Sequence, residues 1–198
     1  MIKAVIFDWG GVLIKNPSAS LLRLSAKEFN TPKKQTSIAI EKYIKDFQRG
    51  WFTEREFVNS VAKKLGIPPP KLFWGKIFIR SYHERKEMFA LATALRKQGY
   101  KIGYLSNTEV PAARHFKRQD HKQFHVTVFS CYEGTVKPEA RIYRLILKRL
   151  KVRPHEAVFM DDLAENVTGA RKAGLQAFRF TSVEQARNQL KRLLKREQ

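Results

Sequence analysis

The chain has 198 residues, 43% hydrophobic and 29% charged, with a formal net charge of +21. That composition fits a folded chain large enough to bury a full core, and it excludes a disordered one. Cys131 is the only cysteine, so intrachain disulfides and thiolate metal clusters are excluded, and no apolar run is long enough to span a bilayer. Met1 to Phe7 is too short for the apolar region of a secretory signal, so a cytoplasmic location is expected.

Ala4 to Phe7 is a short apolar run that reads as a buried strand, of the kind found in parallel sheets. Asp8 follows it, and Gly10-Gly11 allow a sharp turn that brings backbone N–H groups close to a ligand. Taken alone, Asp8 reads equally as the cap of a turn. From Asn16 to about His83 the pattern is mostly helical. A first helix is expected around Leu21, Leu22 and Leu24. A second is announced by Thr31-Pro32, with the proline in the first helical position, and is ended by Gly50. Thr53 with Glu56 has capping-box form and Gly66 is a stop, so a third helix lies between them. After Pro68-Pro69-Pro70, a fourth is expected over Leu72, Phe73, Ile77 and Phe78.

From Glu84 onward, strands and helices alternate. Met88, Leu91, Ala92 and Leu95 mark a helix ending near Gly99. Lys101 to Leu105 is a second strand, and a helix covers Pro111 to Lys117. Val126, Val128 and Phe129 mark a third strand. Gly134 to Pro138 is a loop, and Pro138 opens a helix through Ile142, Leu145, Ile146 and Leu150. Ala157 to Met160 is a fourth strand, ending at Asp161-Asp162. A helix through Val167 and Ala170 stops at Gly174, Gln176 to Phe180 is a fifth strand, and Ser182 with Gln185 caps the last helix. The expected fold is α/β: a Rossmann-like parallel sheet core flanked by helices (1–15 and 84–198), with a small all-helical cap inserted at 16–83.

Four polar groups then fall at strand ends or in the loops that follow: Asp8, Ser106-Asn107, Lys137 and Asp161-Asp162. A connected parallel sheet gathers such groups on one edge. Asp8 and Asp162 are hard oxygen donors suited to Mg²⁺. A carboxylate can also attack phosphorus. Ser106 donates a hydrogen bond, Lys137 adds positive charge, and the N–H groups from Trp9 to Gly11 can hold phosphate oxygens.

These stretches, Phe7-Asp8-Trp9-Gly10-Gly11-Val12, Leu105-Ser106-Asn107, Lys137-Pro138 and Phe159-Met160-Asp161-Asp162 with Asn166 and Gly169, resemble the four motifs of the haloacid dehalogenase (HAD) superfamily. The likeness spans the chain, and within the superfamily the sequence is similar to the small sugar-phosphatase and epoxide-hydrolase N-terminal group. It implies a Mg²⁺-dependent phosphatase acting on a small phosphate monoester through an aspartyl-phosphate. In that family Asp8 would be the nucleophile and a metal ligand, with the Gly10 carbonyl and Asp162 as further ligands and Asp161 acting through water. Trp9, Gly10, Ser106, Asn107 and Lys137 would bind the phosphate, and Lys137 would also steady Asp8. Many family phosphatases carry a general acid/base aspartate where this chain has Gly10. Tyr82 and His83 are the candidates to replace it, against packing roles in a linker.

Other features are weaker. Trp9 can shape the pocket or pack under the cap. Trp51, Phe52, Phe73 and Trp74 are expected to hold the cap together. His115, His121 and His125 lack metal spacing, and Cys131 reads as a small buried residue. The charge of +21 keeps a second reading open, a non-enzymatic protein that binds nucleic acid or an acidic partner on the same scaffold. No zinc-finger spacing or RNA-binding aromatic signature supports it.

Overall fold

A computed structural model describes residues 1–71 and 74–195. Leu72 and Phe73, placed by the sequence in the fourth helix and the cap's aromatic set, lie outside the described residues. The strands are β1 (Ala4–Phe7), β2 (Lys101–Ser106), β3 (Val126–Phe129), β4 (Ala157–Asp161) and β5 (Gln176–Arg179). They form one parallel sheet in the order β3-β2-β1-β4-β5. The order reverses at β1, and the crevice outside the carboxyl end of such a strand is where open α/β sheets bind ligands.

Four helices follow β1: α1 (Ser18–Glu28), α2 (Lys33–Gln48), α3 (Glu54–Leu65) and α4 (Trp74–Arg80). The rest alternate with strands: α5 (Lys86–Lys97), α6 (Val110–Lys117), α7 (Ser130–Glu133), α8 (Ala140–Leu150), α9 (Ala164–Lys172) and α10 (Val183–Lys195). Among the described residues no helix is long and apolar enough to cross a membrane.

The sheet is buried on both faces, as its unbroken apolar strands require. Val5, Phe7, Ile102, Tyr104, Val158 and Met160 pack with residues of α5, α6 and α10, including Met88, Phe116 and Leu190. Ala4, Ile6, Leu105 and Phe159 face the other way, onto α8 and α9. In α8 the buried residues are Ile142, Tyr143, Ile146, Leu147 and Leu150, a stripe of helical period.

The first four helices share a separate apolar cluster that includes Phe29, Phe47, Phe57, Val61 and Trp74. The Phe47 and Phe57 rings stack at 4.4 Å, and Trp74 meets Phe57 edge-on at 5.1 Å. The capping box of α3 is present: Thr53 Oγ1 accepts from the Glu56 N–H at 3.2 Å, and Glu56 Oε2 accepts from the Thr53 N–H at 2.7 Å. Gly66 ends α3 at φ +70°.

Several local expectations are corrected. Pro32 precedes α2 instead of occupying its first turn, with ψ 140°. Helix α8 begins at Ala140, because Pro138 and Glu139 remain in the loop and Glu139 is extended. The short α7 and a 3₁₀ turn at Pro154–Glu156 were not anticipated, each being too short to show a period. At α10 the Gln185 N–H donates to Ser182 Oγ at 3.1 Å, but its side chain reaches Thr181 and Arg179 instead of closing the box on Ser182. Trp51 is 65% exposed under the Arg49 guanidinium, so it does not hold the helical cluster together.

Candidate active site

The carboxyl ends of β1, β2 and β4 meet around a cavity of about 260 Å³ whose lining includes Asp8, Gly10, Ser106, Asn107, Lys137 and Asp162. Asp8 leaves β1 with its N–H bonded to the Met160 carbonyl at 3.0 Å, so the sheet itself fixes its backbone. Gly11 has φ +89°, and a Cβ there would overlap the Asp162 carboxylate. The turn after Asp8 and the end of β4 therefore approach more closely than any side chain at position 11 would allow.

Lys137 is buried between two carboxylates. Its Nζ donates to Asp8 Oδ1 at 2.5 Å and to Asp161 Oδ2 at 2.6 Å. Its backbone is held by Asn107, whose Nδ2 donates to the Lys137 carbonyl at 2.9 Å and whose Oδ1 accepts from the Lys137 N–H at 2.7 Å. The Asn107 carboxamide thus positions the lysine loop, a task the sequence did not assign it, while Asn107 also lines the cavity. Gly169 lets α9 lie directly on that loop, since a Cβ there would overlap Pro138.

Asp161 is fully buried, with its oxygens taken by Lys137, by Asn166 Nδ2 at 3.0 Å and by the Leu163 N–H at 2.9 Å. Asp162 lines the cavity and accepts from Asn16 Nδ2 at 2.9 Å. Ser106 is buried at the end of β2 and also lines the cavity. Trp9 does so too, while its ring packs on Phe78, Tyr82, Tyr104 and Phe116 at 5.2 to 5.9 Å.

Tyr82 and His83 are not among the cavity's residues. The Tyr82 hydroxyl lies 2.7 Å from Glu84 Oε1 and 3.1 Å from Gln119 Oε1, and burial pushes its pKa above the usual phenol range. His83 is exposed, and its carbonyl accepts from the Lys15 N–H. Neither is placed to serve as the proton donor. The cavity instead receives residues the sequence reading passed over: Asn16, Lys45, Gln48 and Glu109. Lys45 and Gln48 share a face of α2 at i, i+3 spacing, the only sequence signal that could have paired them.

A family model for haloacid dehalogenase-like hydrolases matches residues 2–174. The chain belongs to the haloacid dehalogenase-like hydrolase family. It is 29% identical to Acyl-CoA dehydrogenase family member 10 of Mus musculus over 97% of its own length, and 26% identical to Bifunctional epoxide hydrolase 2 of Rattus norvegicus over 88%. It spans only 19% and 35% of those longer proteins. It shares its fold with a HAD family enzyme of Bacteroides thetaiotaomicron solved in complex with magnesium and inorganic phosphate. The TM-score is 0.76, the identity 20%, and the match covers 91% of this chain and 95% of that one.

In this HAD-like hydrolase, Asp8, Asp161 and Asp162 each offer a carboxylate oxygen, and these atoms lie within 4.8 Å of one another. The Lys137 ammonium is the cation bonded into the group. Burial pushes the Asp8 carboxyl up, to about 8, with Lys137 pulling it down and Asp161 pushing it further up. Burial also raises Asp162, against its hydrogen bond from Asn16. Burial opposes the charge on Lys137, yet Asp161 and Asp8 together hold its pKa above the usual lysine value. One ammonium faces three clustered carboxyl groups, two of them buried and the third half-buried. Such an all-oxygen donor set fits a hard divalent cation.

Proposed function

We propose that this protein is a Mg²⁺-dependent phosphatase that hydrolyses a small organic phosphate monoester through an aspartyl-phosphate on Asp8. The observation that carries the reading is the triangle of Asp8, Asp161 and Asp162 with Lys137 bonded between two of its corners. Mg²⁺ would be held by Asp8, the Gly10 carbonyl and Asp162, with Asp161 acting through water, and would supply positive charge to the phosphate oxygens.

Lys137 holds one oxygen of Asp8, leaving the other to attack phosphorus. As the Asp8 O–P bond forms, the ester P–O bond breaks, and the leaving oxygen takes a proton from water. Water then adds its oxygen to phosphorus, giving a proton to the hydroxide left by the first step, and the Asp8 O–P bond breaks. That step returns the carboxylate and releases inorganic phosphate. Ser106, the N–H groups from Trp9 to Gly11, and Lys137 would bear the charge on the phosphate oxygens. Helices α1 and α2, whose residues line the same cavity, would exclude bulk water.

The test is hydrolysis of phenyl phosphate with and without Mg²⁺, in the native protein and in Asp8→Asn. Mg²⁺-dependent release of phosphate that vanishes in the variant is expected. Turnover that survives the substitution overturns Asp8 as nucleophile. Independently of turnover, a cation that binds only the folded state should raise the melting temperature. That stabilisation is about 2.7 kcal/mol at a hundredfold excess over Kd. Asp162→Asn should abolish the rise.

A further inference from the structure

A second cavity, of about 360 Å³, lies between α1 and α2 beneath Trp74. That volume is in the range of small-molecule sites, roughly 300 to 1,000 Å³. It shares Ser18, Leu21, Ile44, Gln48 and Glu109 with the cavity at Asp8, so the two cavities adjoin along these residues. Its remaining walls are largely Ala19, Leu22, Ile40 and Trp74. Among the described residues no lysine or arginine lines this cavity, while Lys45 lines the adjoining one. Its other polar wall groups, Ser37 and Glu41, are hydrogen-bonded to one another at 2.6 Å. Where the cavities adjoin, Glu109 is buried and accepts from Gln48 Nε2 at 3.2 Å. Burial raises its pKa above the usual carboxylate value.

Resting on the phosphatase reading, we infer that this chamber receives the organic part of the substrate, and that the substrate is the phosphate monoester of a hydrophobic alcohol or phenol. A sugar or polyol there would set part of its hydroxyls against Leu21, Leu22, Ile40 and Ile44, which offer them no partner, and unpaired buried hydroxyls are costly. A second anionic group would find no cation among the chamber's walls. An alkyl or aryl group loses only its contact with water.

The experiment uses 4-alkylphenyl phosphates from methyl to butyl. Their leaving phenols are nearly constant in acidity, so only the apolar length changes. In the native protein kcat/KM should rise about threefold to fourfold for each methylene that the chamber buries. The matching 4-alkylphenylphosphonates, which cannot be hydrolysed, should show the same slope in affinity by calorimetry. Leu22→Trp and Ile40→Trp each fill the chamber from a different helix. Each should flatten both slopes relative to that variant's own phenyl compound. Phenyl phosphate turned over with no slope along either series overturns the inference and leaves the phosphatase reading standing. A slope in phosphonate affinity without turnover of any ester supports the chamber and overturns that reading. A higher kcat/KM for a hexose phosphate than for the butylphenyl ester also overturns the inference.

Discussion

The floor and the roof of the cavity are built on different principles. On the floor, Asp8, Lys137, Asp161 and Asn166 are buried, and each is bonded within the set or to the backbone beside it. The roof, from α1 and α2, offers half-buried Leu21, Leu22, Ile40 and Ile44, which meet the space by shape alone. It is tied to the core at few points: Asn16 to Asp162, Gln48 to Glu109, the Gln48 carbonyl to Ser130 Oγ, and the Arg49–Glu139 ion pair. A charge in a dry site must be surrounded by partners or it costs too much. An apolar wall has no such requirement and can vary residue by residue. The difference teaches that the floor's residues are locked to one another, while the roof's are free to vary.

Lys137→Met strikes the floor hardest, because it leaves two buried carboxylates without their cation. A loss of about 3–5 kcal/mol in unfolding free energy is expected by urea titration, together with loss of phosphatase activity. A loss below 1 kcal/mol would show the floor to be as tolerant as the roof.

Gly10→Asp sharpens the comparison from the other side. A Cβ at Gly10 would meet nothing closer than Pro17 Cδ at 3.7 Å, so a side chain can start there without a clash. Positioned acid/base groups contribute about 10²–10⁴-fold in rate. An increase of about 10²-fold in kcat is expected for an alkyl phosphate, whose leaving group needs a proton, and less for an aryl phosphate. Equal gains for both esters would mean that proton delivery is not what Gly10 lacks.

Ser130→Ala tests the joint between the two regions. Ser130 Oγ donates to the Gln48 carbonyl at 2.6 Å and accepts from the Thr108 N–H at 2.9 Å. Stranding these groups should cost about 1–3 kcal/mol in thermal or urea unfolding. An unchanged melting temperature would show that this bond does not hold the roof.

The smallest effect belongs to Glu156, outside both regions. Its carboxyl is held at about 2 by hydrogen bonds from Lys3 Nζ and the Arg153 N–H. A carboxyl with a depressed pKa stabilises the fold above its unfolded value and loses that contribution as pH falls through its folded value. Glu156→Gln should therefore melt slightly below the native protein at neutral pH, with the gap closing toward pH 2. A gap that widens in acid would contradict this.

The sequence by itself determined the alternation of strands and helices, the helical insertion after β1, and the line of Asp8, Ser106, Lys137 and Asp161-Asp162 at strand ends. These are local facts. Strand and helix periods, the capping box at Thr53 and the stop at Gly66 depend on residues a few positions apart. The parallel connection rule then sends strand ends to one edge. Only the tertiary structure decided that Asn107 clamps Lys137, that Asn16 reaches Asp162 across 146 positions, and that Tyr82 turns away to Glu84 and Gln119. It also decided that α1 and α2 leave a second cavity, rich in aliphatic side chains, beside the one at Asp8. An amphipathic helix must bury its stripe, but its period does not say against what, or where a gap will remain.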